Sequence, residues 1–149
     1  MKRFRFSLQK VLDLRTFAEE QAKLALAAAI SEADKIKNEL KEIARKKVKA
    51  NKERSSCSDF TEHIVIEKYI TRLELRKEEL LEELVQAELI VEEKRKAFRE
   101  AMKERKVLSN LREKKYAEYK KDYNRSLEIE LDDINQSKYA KFEIEQNNS

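Results

Sequence analysis

Few residues of this chain belong to the types that carry out chemistry. The sequence holds one cysteine, Cys57, and one histidine, His63, and it has no glycine with which to build a phosphate-binding loop. A structural zinc ion takes four Cys or His ligands, and a nucleophilic cysteine needs a base together with a group that orients it. Cys57 and His63 lie close together in a polar stretch without such partners. We therefore expect no metal, no cofactor and no catalysis, and we interpret both residues as parts of an exposed turn.

Carboxylates are abundant, but their setting does not favour catalysis. The 149-residue chain has 30 acidic and 34 basic residues, with a net charge of +4. Pairs such as Glu78 and Glu79 fall on open helix faces, where they lack the burial that shifts a carboxyl pKa into a catalytic range. The charged residues are therefore expected to act by contacting other surfaces.

The composition favours long helices as the elements that carry these residues. The chain has no Gly and no Pro, so residues that allow positive φ cheaply or impose a fixed break are missing. Its 43% charged fraction is too high for a compact globule, and its 40% apolar fraction is too high for simple disorder. A coiled coil accommodates both fractions. We predict an all-α fold.

Two heptad series predict the helices. Between Leu8 and Lys47, nine of twelve positions at 4-3 spacing are apolar, and between Ile66 and Tyr119 eleven of sixteen are. Polar residues typical of turns interrupt the pattern between the two series, where Asp59 and Glu62 resemble a capping box. The sequence thus predicts a long two-helix antiparallel coiled-coil hairpin that forms one domain over residues 1–149. We expect a first helix at about 7–52, a turn at about 53–60, a second helix at about 60–135 and a frayed tail at 136–149.

A turn centred near residue 55 or 56 also predicts a register. The numbers of facing residues would add to about 111, which places Phe4 near Val107. Residues beyond about Leu108 would then overhang the first helix.

The distribution of charge along the sequence also favours an antiparallel hairpin. Residues 41–54 carry a net charge of +5 and residues 62–93 a net charge of −6, so an antiparallel hairpin sets opposite charges side by side. Residues 94–125 carry +8 and make the end that holds both termini strongly basic. Such a patch fits a nucleic acid, an anionic membrane or an acidic protein site, or it is only a solvated face. Interleaved Glu residues argue against nucleic acid, and the lack of a Phe- and Leu-rich face argues against membrane insertion. An acidic protein cleft is the favoured partner.

The chain is expected to be cytoplasmic. Its longest aliphatic run, Leu24 to Ile30, is far shorter than the roughly 20 residues that span a bilayer. Arg and Lys interrupt the apolar residues near the N-terminus, so no signal peptide is expected. A lone Cys57 also fits a reducing compartment.

Three segments resemble the flagellar export protein FliJ family. FRFSLQKVLDLR, from Phe4 to Arg15, is similar to its opening Phe-x-Phe-x-Leu and Val-Leu-x-x-Arg. AFREAMKERKVLSNLREKKYAEY, from Ala97 to Tyr119, resembles its Lys-Glu-Arg-Lys-x-Leu-x-x-Leu segment. Leu131 to Ile134 resembles its Leu-Asp-Glu-Ile element, with Asp133 where the family often has Glu.

The resemblance implies a fold, a function and partners. The fold is a hairpin similar to the γ stalk of rotary ATPases, seated in the hexameric ATPase of flagellar type III export. This non-enzymatic stalk would promote ring assembly and activity. It would also contact the export gate membrane protein and the export chaperones. It would lie in the cytoplasm, peripheral to the inner face of the cell membrane through protein contacts only.

Two sets of residues are predicted to make these contacts. The basic end is expected to bind the ATPase through Arg3, Arg5, Arg105, Lys106, Arg112 and Lys115. For the export gate, the resemblance implies a stripe early in the second helix, carried here by Tyr69, Leu73 and Leu80. Arg76 replaces a small residue of that stripe. Leu73 and Leu80 are explained equally well as part of the seam between the helices, whereas Tyr69 lies off that seam.

Two other functions remain open from the sequence alone. The chain could be a structural coiled coil that dimerises through the same seams, which its mass in solution would reveal. It could also be a basic helix pair that binds nucleic acid, which duplex binding at physiological salt would reveal.

Overall fold

Two long helices account for nearly all of the structure. The computed structural model describes residues 2–148, with α1 at Gln9–Ser56 and α2 at Phe60–Asn147. Within residues 2–148, 93% of the residues are helical, the two helices pack against each other, and there is no strand. The prediction of an all-α helical hairpin is confirmed.

Both helices run past their predicted ends. α1 continues to Ser56, and the Ser55 and Ser56 hydroxyls donate hydrogen bonds of 2.9 and 3.2 Å to the carbonyls of Lys52 and Glu53 at the end of the helix, where carbonyls lack partners along the helix. α2 continues to Asn147 instead of ending near residue 135. Its last turns contain no Gly or Pro, so the helix has no breaker there. The last predicted tail residue, 149, lies outside the described residues.

A three-residue connection joins the helices, and Asp59 starts α2. Asp59 Oδ1 accepts a hydrogen bond of 3.1 Å from the Thr61 amide, and its carbonyl accepts one of 3.0 Å from the His63 amide. Asp59 thus caps the helix as the sequence predicts. The Glu62 carboxylate, the second half of the predicted capping box, accepts a hydrogen bond from the Cys57 thiol instead. Throughout residues 2–148, no residue has a positive φ, so the turn requires no glycine.

The chain forms two compact units. One comprises Phe17–Met102 and contains the turn, and we call it the turn unit. The other comprises the described residues up to 16 together with those from 103 to 148, and we call it the terminal unit. The prediction of a single domain stays a prediction.

The core of the turn unit follows the predicted heptad positions. Leu80 is only 1% exposed, and it packs with Leu73 and Ile43, with Ile36 and Leu40 at the edge of the cluster. The 4-3 series also continues beyond Lys47, because Ala50 is buried and Arg54 is half-buried. Small side chains such as Ala33, which is also buried, let the two helices approach closely.

The register differs from the predicted one. In the turn unit Arg54 pairs with Glu67 at 2.6 Å and Lys47 pairs with Glu74, so the numbers of facing residues add to 121 and not to 111. The predicted value was wrong because α1 continues through Ser56 and because the first turn of α2 lies beyond the paired region, with Phe60 78% exposed. The pairing of a basic with an acidic segment is nevertheless the one that the charge pattern predicts.

Candidate interaction surfaces

In the terminal unit, the residues before α1 lie against α2 through aromatic contacts. The ring of Phe4 meets Tyr116 edge-on, with centroids 5.2 Å apart, and lies 5.5 Å from Tyr119. The Tyr119 hydroxyl donates a hydrogen bond of 2.7 Å to the Lys2 carbonyl, and Tyr123 stacks on Tyr119. We call Phe4, Tyr116, Tyr119 and Tyr123 the aromatic clasp. Its position corrects the predicted contact of Phe4 with the Val107 region.

Arg112 and Arg105, two of the six basic residues predicted to bind a partner, donate hydrogen bonds within the chain. The Arg112 guanidinium donates a hydrogen bond of 2.9 Å from Nε to Gln9 Oε1 and lies 5.6 Å above the ring of Phe4. Arg105, which is half-buried, donates a hydrogen bond of 3.4 Å to Ser109 Oγ. These two side chains therefore have structural roles in the terminal unit.

The other four basic residues are exposed, as Arg112 is, but they have no hydrogen bond to the described residues near the start of α1. Arg3, Arg5 and Lys106 are exposed, and Lys115 lies 3.9 Å from Glu118 on the next turn of the helix. Arg3 and Arg5 flank the clasp residue Phe4. This exposed basic set, Arg3, Arg5, Lys106 and Lys115, is the part of the predicted site that a partner can reach without rearrangement of the unit.

The three residues predicted to contact the export gate differ in their solvent exposure. Tyr69 is 39% exposed, whereas Leu73 is 8% and Leu80 is 1% exposed. Leu73 and Leu80 belong to the core cluster between the helices. The structure therefore does not bring the three residues together on an open surface, and a partner can reach Leu73 and Leu80 only if the helices separate.

Arg76, between these residues in the sequence, forms an ion cluster that joins the two helices. Its guanidinium lies 3.1 Å from Glu79, 3.7 Å from Glu83 and 3.3 Å from Glu39 of α1. The hydrogen bond to Glu79, followed by the one to Glu39, raises the pKa of Arg76. All four side chains are substantially exposed, so the cluster fixes geometry more than it adds stability.

Two exposed apolar surfaces lie outside the residues predicted to bind the ATPase or the export gate. One lies on α2 in the turn unit, where Leu81, Val85 and Leu89 are 43–59% exposed. The other is the segment 127–148, in which every residue is exposed; we call it the C-terminal arm. In the sequence, each of these surfaces is marked by apolar residues that lie outside the two heptad series.

The residue types that could carry out chemistry, Cys57 and His63, lie in the turn and in the first turn of α2. The Cys57 thiol donates a hydrogen bond of 3.0 Å to the Glu62 carboxylate, and this bond raises the pKa of the thiol because it favours the protonated form. Within residues 2–148, no group of three or more His, Cys, Asp or Glu side chains could hold a metal ion.

None of the helices in the described part of the chain combines the length and the apolar character that a membrane span requires.

These features define a class of protein: a helical hairpin that presents charged and apolar surfaces along its helices. The comparison with known families identifies it further. The sequence model of the flagellar FliJ protein family matches residues 4–143, so the chain belongs to the FliJ family. No curated protein and no solved structure gave a significant match. The FliJ family consists of non-catalytic components of flagellar protein export, and this chain is such a component.

Proposed function

We propose that this chain is the non-enzymatic stalk of the flagellar export ATPase. In this role it binds the hexameric ATPase, promotes its assembly and activity, and links it to the export gate and the export chaperones. Family membership supports the general role in export. It works from the cytoplasm and reaches the inner face of the membrane through protein contacts only.

The observation that carries the ATPase contact is the exposed basic set. Arg3, Arg5 and Lys106 are open to solvent, while Arg105 and Arg112 make contacts within the unit. Exposed charges of one sign accelerate the encounter with a surface of the opposite sign and are screened by salt. We therefore expect an acidic site on the ATPase ring and an association rate that falls as ionic strength rises.

The test reverses only exposed charges, so that folding is preserved. The variant Arg3→Glu, Arg5→Glu, Lys106→Glu should weaken binding to the export ATPase hexamer and lower its stimulation. A matched control reverses three exposed lysines of the turn unit, Lys41→Glu, Lys46→Glu and Lys49→Glu. Surface plasmon resonance at several salt concentrations, with circular dichroism for helicity, measures both variants.

The two variants change the net charge equally, so their comparison separates a local site from general attraction. A larger loss of association rate for the terminal-unit variant supports the proposal. If both variants lose the same affinity, or if the terminal-unit variant stimulates the ATPase as wild type does, the basic set is only a solvated face.

For the export gate, we propose that Tyr69 makes the direct contact. Its partial exposure supports this role, whereas Leu73 and Leu80 act indirectly by holding the helices together. Tyr69→Ala should reduce capture of the cytoplasmic domain of the gate protein while ATPase binding persists. Val65→Ala is the control, because Val65 is 61% exposed nearby on the same helix. Equal capture by Tyr69→Ala and Val65→Ala would rule out a specific role for Tyr69.

A further inference from the structure

One side of α2 in the turn unit carries apolar residues that are open to solvent. Leu81, Val85 and Leu89 recur every fourth residue and are 43%, 57% and 59% exposed. Side chains four residues apart lie on the same side of a helix, so the three form one row about 12 Å long. We call this row the α2 apolar face. It is separate from the core, where Leu80 packs with Ile43 of α1.

The spacing of the α2 apolar face is that of a surface that binds a helix. A single exposed leucine is ordinary on a folded protein, whereas a contiguous apolar patch marks an interaction site. An amphipathic helix binds such a patch through apolar residues three or four positions apart. Two turns of matching apolar residues are present on α2, and α1 holds α2 in place behind them.

The charge around this face restricts what can cover it. Residues 78–93 contain seven Glu and no Lys or Arg, a net charge of −7. Residues 28–43 of α1, which face them, carry a net charge of −1 and do not neutralise them. An acidic partner would set like charges side by side, which is unfavourable, whereas a basic partner is attracted.

Two of these glutamates flank the apolar face without compensation. Glu78 and Glu82 are exposed and lie four residues apart, and no hydrogen bond or ion pair joins either to another residue within 2–148. Their neighbours Glu79 and Glu83, by contrast, lie 3.1 and 3.7 Å from Arg76. Like charges four residues apart destabilise a helix. A basic side chain placed beside Glu78 and Glu82 would remove this repulsion.

We propose that the α2 apolar face binds a basic amphipathic helix of another protein. The apolar side chains of that helix cover the face, and its Lys or Arg side chains lie beside Glu78 and Glu82. The face begins about three turns beyond Tyr69 on α2, and the exposed basic set belongs to the terminal unit. The inference therefore goes beyond the proposed function and does not depend on it.

This chain does not itself supply such a helix. Its basic segments 41–54 and 94–125 each expose one large apolar side chain outside the aromatic clasp, Val48 and Val107. The segments that expose several carry no net positive charge: it is −2 for residues 8–34, 0 for 57–77 and −4 for the C-terminal arm. A second copy thus does not combine an apolar row with a basic flank, so the occupant is a different protein.

A synthetic peptide tests the surface. The probe is a helical peptide of about 18 residues with Leu at every third or fourth position and Lys on both flanks. A scrambled peptide of the same composition is the control. In fluorescence anisotropy at physiological salt, the amphipathic peptide should bind the full chain at least about tenfold more tightly. Equal binding of the two peptides, or no binding at high micromolar concentration, overturns the proposal.

Charge reversal tests the acidic flank. The variant Glu78→Lys, Glu82→Lys should weaken binding of the amphipathic peptide at least about tenfold. The matched control is Glu20→Lys, Glu53→Lys, which changes the net charge equally at exposed residues of the same unit. Equal losses in both variants would show attraction by overall charge and no site.

Neutralisation separates binding from a structural role. The variant Glu78→Gln, Glu82→Gln removes the repulsion between the two carboxylates, so the urea midpoint of the free chain should rise. Binding of the peptide should weaken at the same time. A free chain that becomes less stable would show that the glutamates support the fold, and it would overturn their assignment to the site.

Truncation of a leucine tests the apolar contact. Leu89→Ser should weaken binding of the peptide at least about tenfold, because it removes a side chain that the peptide buries. Leu24→Ser is the control, since Leu24 is 55% exposed on α1 in the same unit. Unchanged binding by Leu89→Ser contradicts the proposal.

Photo-crosslinking identifies the occupant. Benzoylphenylalanine in place of Val85, in the full chain expressed in flagellated cells, should crosslink to another protein at a peptide that is basic and amphipathic. Mass spectrometry of the crosslinked peptide gives its sequence. A crosslink to an acidic peptide, a crosslink to a second copy of this chain, or the absence of any crosslink overturns the proposal.

Discussion

The guanidinium of Arg112 lies 5.6 Å above the ring of Phe4 and donates a hydrogen bond to Gln9. One side chain of α2 thus contacts the chain just before α1 and within its first turn. A cation over an aromatic face contributes about 0.5–1 kcal/mol at an exposed site. Arg112 is therefore a structural residue of the terminal unit, although the sequence predicted that it binds the ATPase.

The first prediction concerns the clasp. Phe4→Ala removes the ring that contacts Tyr116, Tyr119 and Arg112, so the residues before α1 should detach from α2. We expect faster trypsin cleavage after Arg3 and Arg5 and a loss of about 1–2 kcal/mol of stability. Phe17→Ala should change neither, because Phe17 is 63% exposed. Equal cleavage rates in the wild type and Phe4→Ala would mean that the clasp does not hold the segment.

The second prediction concerns the core of the turn unit. Leu80→Ala should lower the free energy of unfolding by about 2–4 kcal/mol, since Leu80 is 1% exposed and its truncation leaves a cavity. Leu89→Ala, at a residue that is 59% exposed, should lower it by less than about 0.5 kcal/mol. Urea denaturation followed by circular dichroism measures both values. Similar midpoints would contradict the register of α2.

The third prediction concerns the ion pairs between the helices. Lys47→Glu and Glu74→Lys should each destabilise the chain, and the exchanged double variant should recover most of the loss. Both partners are 37% exposed, so the coupling should be only about 0.2–1 kcal/mol and should decrease at high salt. A double-mutant cycle measures it. Strictly additive effects would show that the two side chains do not interact in solution.

The fourth prediction concerns Cys57. The Glu62 carboxylate raises the thiol pKa, so the thiolate fraction near neutral pH is lower than for an ordinary exposed cysteine. Glu62→Gln removes the negative charge and should lower that pKa, which shifts the pH profile of iodoacetamide alkylation to lower pH. The rates should coincide for both chains in urea. A profile that does not move would exclude Glu62 as the cause.

Heptad spacing predicted the fold but not the register. The series through Ile43, Leu73 and Leu80 identifies the buried faces, because periodic burial depends on local geometry alone. Register depends on where the turn begins, and α1 includes Ser55 and Ser56 although their residue type is typical of turns. The predicted sum of facing residue numbers was ten too small. The prediction therefore placed Phe4 near Val107, whereas Phe4 contacts Tyr116 and Tyr119.

The candidate sites could be predicted only in part, for a related reason. Charge located the basic residues of the terminal unit, but it could not show that Arg112 donates a hydrogen bond to Gln9 whereas Lys106, also exposed, does not. Likewise, Leu73 and Leu80 fit a contact stripe by spacing, and burial alone assigns them to the core. Sequence identifies which side chains share a face, whereas the facing helix determines which of them remain available.

The antiparallel pairing also has a kinetic consequence. The contact between Arg54 and Glu67 closes a loop of 13 residues, that between Lys47 and Glu74 one of 27, and that between Lys37 and Glu88 one of 51. Loop closure costs more entropy as the loop lengthens, but each closed contact shortens the chain left to close for the next. The turn unit should therefore fold like a zipper that starts at Asp59. Substitutions near the turn should slow folding, and those far from it should mainly speed unfolding.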